Sequence, residues 1–465
     1  MPSVPLHYAS LEEVSRSIRR KEVSSAEVTA LVLGRIREHN GRLNAFLEMF
    51  EDEAMVAARR ADRALARGKW LGPLHGVPIS LKDLFDVKGK RTSAGSRTTE
   101  GDIAASDSAV TERLLHAGAI IIGKANMSEF ACGRIYSGYG PLANPWDLAK
   151  FAGGSSSGSG ASIAAGMGYA SLGSDTGGSI RLPAAFSGTV GLKPTYGRVS
   201  RRGVFTLSWS LDHAGPLTRT ARDAAIVLQA IAGYDAADPA SSAAPVPNYL
   251  RGLPSDLRGL TIGIPWETYY ESLDPEVERA MQEAHRALRR LGARLKRVRI
   301  PHAGYGLTAT IAIMMAEAAA FHASRLRGRF HLLTDYVASR LLEGALTPAT
   351  HYIRAQRIRT LLCHETQQAL AGVDALLLPT VPIPAHSLDP SVASPQFLAT
   401  IGRNTSIGNI TGLPALSLPC GFTPGGLPIG MQLLGRGFDE RTLIAIAAAY
   451  QQATDFHLRH PALFP

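Results

Sequence analysis

One lysine and two serines stand in settings where they could act on a carbonyl group. Lys82 ends the apolar run of Leu74-His75-Gly76-Val77-Pro78-Ile79-Ser80-Leu81-Lys82-Asp83. Burial at the end of a strand disfavours the ammonium form, so the amine can serve as a base near neutral pH. Ser155 is the first serine of Gly153-Gly154-Ser155-Ser156-Ser157-Gly158-Ser159-Gly160. Ser179 follows two glycines in Asp175-Thr176-Gly177-Gly178-Ser179-Ile180-Arg181. A serine so placed can expose its hydroxyl, while adjacent backbone N–H groups converge on a developing oxyanion. A lone strand-end lysine usually faces solvent, and a lone Gly/Ser run is usually a loop. In this order and spacing the three segments together are specific.

Other chemistries find less support. Gly118-Ala-Ile-Ile-Ile-Gly123-Lys124 has phosphate-loop spacing, but its branched interior favours a strand and Ala125 stands where Ser or Thr is needed. Cys132, Cys363 and Cys420 are far apart and show neither metal-ligand spacing nor a disulfide framework. A reduced, cytoplasmic setting is the expectation. The fourteen histidines form no zinc motif, so no metal and no cofactor are called for. The net charge of +10 comes mainly from arginine, in pairs such as Arg19-Arg20, Arg59-Arg60 and Arg289-Arg290. Spread pairs read as solvated helix faces and argue against a nucleic-acid partner. No stretch nears the ~18 unbroken apolar residues of a membrane span, and Met1 to Ser10 lacks the pattern of a secretory signal.

The elements that must position these residues are legible in outline. Ser10 and Ser24 each precede Glu by three residues, the capping-box pattern at a helix start. A further helix is expected over 51–68. Val77–Leu81 and Ala119–Gly123 read as buried strands, with a helix around Ser108–His116 between them. The Gly/Ser/Ala-rich stretch 152–191 contains Ile163, Met167, Leu172, Ile180 and Leu182 at intervals that need packing, so it is not a linker. Residues 235–249 are the best linker candidate. Beyond them come a strand at Leu260–Ile264, a helix opened by Asp274-Pro275 and a strand over Arg294–Ile300. Strands alternating with helices predict an α/β architecture.

The three chemical segments resemble the amidase-signature family of Ser–cis-Ser–Lys hydrolases. The resemblance extends to Gly191–Ser200, Asp212–Arg219, Asn409–Pro414 and Gly426–Gln432 and covers most of the chain. It implies a single domain over 1–465 built on one large mixed twisted β-sheet flanked by α-helices on both faces. Within it, an N-terminal helical segment occupies about 1–68, the signature core about 70–220 and a variable pocket wall about 300–400. It also implies that Ser179 is the nucleophile, that Ser155 follows a cis peptide bond and relays protons, and that Lys82 is the base. The N–H groups of Thr176, Gly177, Gly178 and Ser179 would form the oxyanion hole. Ser157 stands where the family often has glycine, leaving both catalytic serines in place.

The expected substrate is a small amide, ester or carbamate, bound near Phe130, Ile135, Tyr136 and Gly154. Tyr139, Phe205, Leu207, Trp209, Met314 and Met315 are further candidates for an apolar wall suited to aliphatic or aromatic groups. The family's glutaminase branch, which serves in a tRNA-dependent amidotransferase, usually carries Asn-Met-Asp-Glu-Phe-Ala-Met-Gly-Ser-Ser at 126–135. This chain has Asn126-Met-Ser-Glu-Phe-Ala-Cys-Gly-Arg134-Ile135. That departure favours a free-standing hydrolase, monomer or homodimer, over the glutaminase branch.

Overall fold

The computed structural model describes residues 4–132, 136–389 and 400–464. In the middle of the sheet, runs of small and apolar residues become strands buried on both faces, as they must where helices cover both sides, whereas the edge strands Phe46–Met49 and Arg294–Val298 are partly exposed. The strands are β1 Phe46–Met49, β2 Pro78–Lys82, β3 Ile120–Ala125, β4 Ala170–Asp175, β5 Val190–Lys193, β6 His213–Thr218, β7 Thr261–Pro265, β8 Arg294–Val298, β9 Ala375–Pro379, β10 Ala415–Phe422 and β11 Pro428–Leu434. They form one mixed sheet in the order β1-β3-β2-β4-β6-β5-β10-β11-β9-β7-β8. The β2–β4 and β7–β8 pairs are parallel, whereas β4–β6 and β10–β11 are antiparallel. At its centre Ala415, Leu416 and Ser417 of β10 pair with Lys193, Leu192 and Gly191 of β5.

Helices cover the sheet. Both expected capping boxes are present, opening α1 (Leu11–Arg19) and α2 (Ser25–Leu43). α3 (Glu51–Ala66) and α4 (Ala109–His116) follow as expected. The small-residue stretch folds into α5 (Ser157–Ala164), β4, α6 (Arg181–Ser187) and β5, nearly all of it buried. α5 packs on α6, and α6 on β5, β10 and β11, approaches that large side chains would block. Further on lie α7 (Ala221–Ile231) and α8 (Pro275–Arg290), the latter with Asp274 as N-cap and Pro275 in its first turn.

The loop-like phosphate spacing at Gly118–Lys124 is mostly strand β3. Lys124 is buried there, donating to the Phe85 carbonyl at 2.6 Å and facing Asp83 Oδ1 at 3.4 Å. Residues 235–249 do not divide the molecule, because the sheet draws strands from both sides of them. They are stapled to the segment before them. Arg198 Nη1 donates to the Ala244 and Pro245 carbonyls at 3.0 and 2.9 Å, and Ser242 N–H donates to Gly197 O at 2.9 Å.

The region 300–400 supplies α9 (Gly306–Phe321), α10 (Asp335–Ala345) and α11 (Ala349–Ala371). α9 packs on α10, on α11 and on α12 (Ser406–Ile410). Among the described residues one helical stretch, Ala303–Phe321, is long and apolar enough to cross a membrane. It carries a buried carboxylate, Glu317, which accepts hydrogen bonds from Ser208, Ser210 and Tyr352.

Candidate active site

Three chain segments meet beneath one cavity. β2 ends at Lys82, which is fully buried. Its Nζ lies 2.8 Å from Ser155 Oγ and 2.8 Å from Ser174 Oγ, within hydrogen-bond distance of both. Burial lowers the Lys82 pKa to about 7 despite the opposing charges of Asp175 and Asp212. The amine is therefore largely able to exchange a proton at neutral pH.

Ser155 sits just before α5, after a cis peptide bond from Gly154. It is buried, and its carbonyl accepts from Ser128 N–H at 3.1 Å. The next residue, Ser156, donates its N–H to the Ser179 carbonyl at 3.2 Å, which ties the two serine segments together. Ser179 itself is partly exposed and lines the cavity.

The turn from β4 into α6 is fixed by one buried ion pair. Arg181 Nε and Nη2 donate to Asp175 Oδ2 and Oδ1, each at 3.0 Å. Burial opposes ionisation of Asp175, but the Arg181 charge and the hydrogen bonds to the carboxylate win and hold its pKa far below the usual range. Arg181 also donates to Thr405 O, Gln432 Oε1 and Asn409 Oδ1, and Asn409 Nδ2 donates to Asp175 Oδ1 at 2.8 Å. Thr405 Oγ1 donates to the Gly177 carbonyl at 2.7 Å, and Thr176 Oγ1 to Asp212 Oδ1 at 2.6 Å.

One member of the expected oxyanion hole is corrected. The Gly178 N–H already donates to Asp175 Oδ1 at 2.7 Å, so it serves the turn instead of an oxyanion. Glycine is required there because φ is +134° and a Cβ would collide with the Thr405 hydroxyl. Among the described residues the N–H groups of Gly177 and Ser179 have no hydrogen-bond partner, and both residues border the cavity, as does Thr176.

The cavity measures about 610 Å³. Its walls are mainly apolar: Phe151, Leu182, Leu307, Ile311, Met314 and Ile401, with the paired Arg340 and Glu343 as its charged lining. Gly154 and Met315 also line it. Phe130 does not, contrary to expectation. Its φ of +52° turns the ring into the core, where it stacks on Phe205 at 5.3 Å and packs against His322, while the adjacent Ala131 and Cys132 face the cavity. Phe205 and Leu207 pack in or against the core and Trp209 is exposed, none of them at the cavity. Ile135 and the Tyr136 side chain lie outside the described residues. Sequence reasoning gave no role to Ser174, Asp212, Thr405, Asn409 or Gln432. Three of these fall in segments that carry the family resemblance, but only the fold shows what they touch.

The family model described as Amidase matches residues 27–444. The glutamyl-tRNA(Gln) amidotransferase A chain of Myxococcus xanthus (strain DK1622) is 43% identical over 477 residues, covering 97% of this chain and 98% of that protein. An amidase of Pseudomonas putida is also 43% identical, covering 98% of each chain. The crystal structure of a bacterial aryl acylamidase of the amidase signature enzymes superposes with a TM-score of 0.88 at 27% identity, over 97% of this chain and 98% of that one.

Proposed function

The chain belongs to the Amidase family and is a hydrolase of amides, and on that premise we propose that it cleaves carboxamide C–N bonds of apolar or aromatic substrates through a Ser179 acyl-enzyme. The observation that carries this is the buried Lys82 amine, 2.8 Å from Ser155 Oγ, beneath a cavity bordered by Ser179. Neutral Lys82 takes the Ser155 proton as Ser155 takes that of Ser179. Ser179 Oγ attacks the carbonyl carbon. The oxyanion is held by the N–H groups of Thr176, Gly177 and Ser179, each worth on the order of 3–4 kcal/mol. As the C–N bond breaks, the nitrogen takes a proton from Ser155, which Lys82 replenishes, and the amine leaves. Water attacks the acyl-enzyme by the same relay, releasing the acid and restoring Ser179.

The apolar walls support an aliphatic or aromatic group on the substrate. A carbamate or ester presents the same carbonyl and suits the same groups. The 43% identity to the Myxococcus xanthus amidotransferase chain supports a second reading, a glutaminase that works with partner chains. For that reading, the Arg340–Glu343 pair in the lining could meet the charged ends of free glutamine, whereas the apolar walls suit an aliphatic or aromatic group better. The free cysteines suit a reduced, cytoplasmic setting.

The test incubates the purified chain alone with 4-nitroacetanilide, a 4-nitrophenyl carbamate and L-glutamine, beside Ser179→Ala. Nitroaniline or nitrophenol release that vanishes in the variant supports the free-standing hydrolase and ranks amide against carbamate. Ammonia from glutamine alone, or only with added partner chains, moves the assignment to the glutaminase.

A further inference from the structure

Between the end of β4 at Asp175 and the start of α6 at Arg181 lies the turn that carries the oxyanion donors. Most of it is held by groups already described. Gly178 and Ile180 donate their N–H groups to the Asp175 carboxylate, and Thr405 holds the Gly177 carbonyl. Thr176 is held from the other side, by a residue outside the Lys82–Ser155–Ser179 relay. Its hydroxyl donates to Asp212 Oδ1 at 2.6 Å. The strand register explains the meeting. Asp175 of β4 pairs with His213 of β6, so Asp212 falls opposite Thr176 where the antiparallel ladder ends.

Asp212 is itself gripped. It is buried, and its Oδ2 accepts the N–H groups of Leu207 and Ser208 at 2.9 and 3.0 Å. Ser208 Oγ in turn donates to Glu317 Oε2 at 2.5 Å, as do the Ser210 N–H and hydroxyl to the same carboxylate. Glu317 belongs to α9, whose Thr310, Ile311 and Met314 line the catalytic cavity. Asp212 thus accepts three hydrogen bonds on two oxygens, the pattern of an ionised carboxylate. The arginine that acts on it, Arg201, is already paired with Asp238. A buried carboxylate held by neutral donors is a costly way merely to brace a loop.

We propose that Asp212 is a positioning residue of the catalytic centre, which sets the oxyanion donors at Thr176 and Gly177 by holding the Thr176 hydroxyl. The inference rests on the assignment of Ser179 as nucleophile. Backbone donors stabilise a transition state only when aimed at the place where charge develops, and a displacement of about 1 Å costs on the order of 100-fold in rate. An asparagine at 212 would keep one oxygen for Thr176 but set an NH₂ group against the Leu207 and Ser208 N–H groups.

Steady-state kinetics on whichever amide or carbamate the wild type turns over tests this. Thr176→Val removes the hydroxyl and keeps the backbone. It should lower kcat and kcat/KM together by about 10- to 100-fold, and Thr176→Ser should restore most of the loss. Asp212→Asn should show the same loss and one change more. The charges that act on Lys82 are Asp175, paired with Arg181, and Asp212, and both favour the ammonium form. Removing one keeps the amine neutral to lower pH, so the acid limb of kcat/KM should move down in Asp212→Asn and stay in place in Thr176→Val. Wild-type kcat in Thr176→Val, a loss that Thr176→Ser does not repair, or an unmoved acid limb in Asp212→Asn overturns the proposal. The Thr176 pair decides the matter even if Asp212→Asn does not fold. A wild type inactive on amide, carbamate and glutamine alike overturns the Ser179 assignment, and this proposal with it.

Discussion

Each of the three proposed catalytic side chains can be tested singly. Ser179→Ala should lower kcat roughly 10⁴-fold or more, as removal of a nucleophile from a relay does, with folding retained by circular dichroism. Ser155→Ala and Lys82→Ala should also cripple turnover, and combining either with Ser179→Ala should add little, because the three act as a unit. The pH dependence has a definite sign. Lys82 serves as a base only when neutral, so activity is present above its pKa of about 7 and lost as the pH falls through it. A kcat/KM profile that stays flat from pH 5 to 9 would remove Lys82 from that role. These three residues were legible in the sequence because glycine-flanked serines and a strand-end lysine have local signatures. Ser174 was not, since nothing in Gly173-Ser174-Asp175 announces that its hydroxyl meets a lysine 92 positions away.

At the level of elements, the turn from β4 into α6 depends on a charge pair with no solvent to replace either partner. Arg181→Ala should cost about 3–5 kcal/mol by leaving the Asp175 charge buried without its cation, read as a lower urea midpoint. The cavity wall has its own sensitive point. Gly344 lets α10 lie against α9, because a Cβ there would collide with the Met315 carbonyl. Gly344→Ala should push the helices apart and lower kcat/KM for bulky aromatic amides more than for short aliphatic ones, measured across a homologous series. Helix starts and buried strands were readable from capping serines and apolar runs. The direction of Phe130 was not, because a positive φ at a phenylalanine has no sequence signature and inverts which neighbour faces the cavity.

Across the whole molecule, sequence distance and spatial distance part company. The stretch 235–249 has the composition of a linker, yet Arg198 holds it by two carbonyls and the sheet runs on past it. Arg198→Ala should make that stretch a preferred site of limited proteolysis, seen as new fragments near half the chain length, while the parent resists. Composition reports local polarity and cannot report a long-range staple, which is why the sequence suggested a boundary there.

The central pairing of β5 with β10 also has a consequence in time. On the ribosome, Gly191–Lys193 emerge long before Ala415–Ser417, roughly 220 residues later, a wait of about 10–45 s at ~5–20 residues per second. Through that interval the nascent sheet ends in an open apolar edge, and Arg181 waits for Thr405 and Asn409. The newborn chain therefore holds the proposed nucleophile, Ser179, well before it can hold it still. Its need for a chaperone should be greatest in that window and end when the last strands are translated.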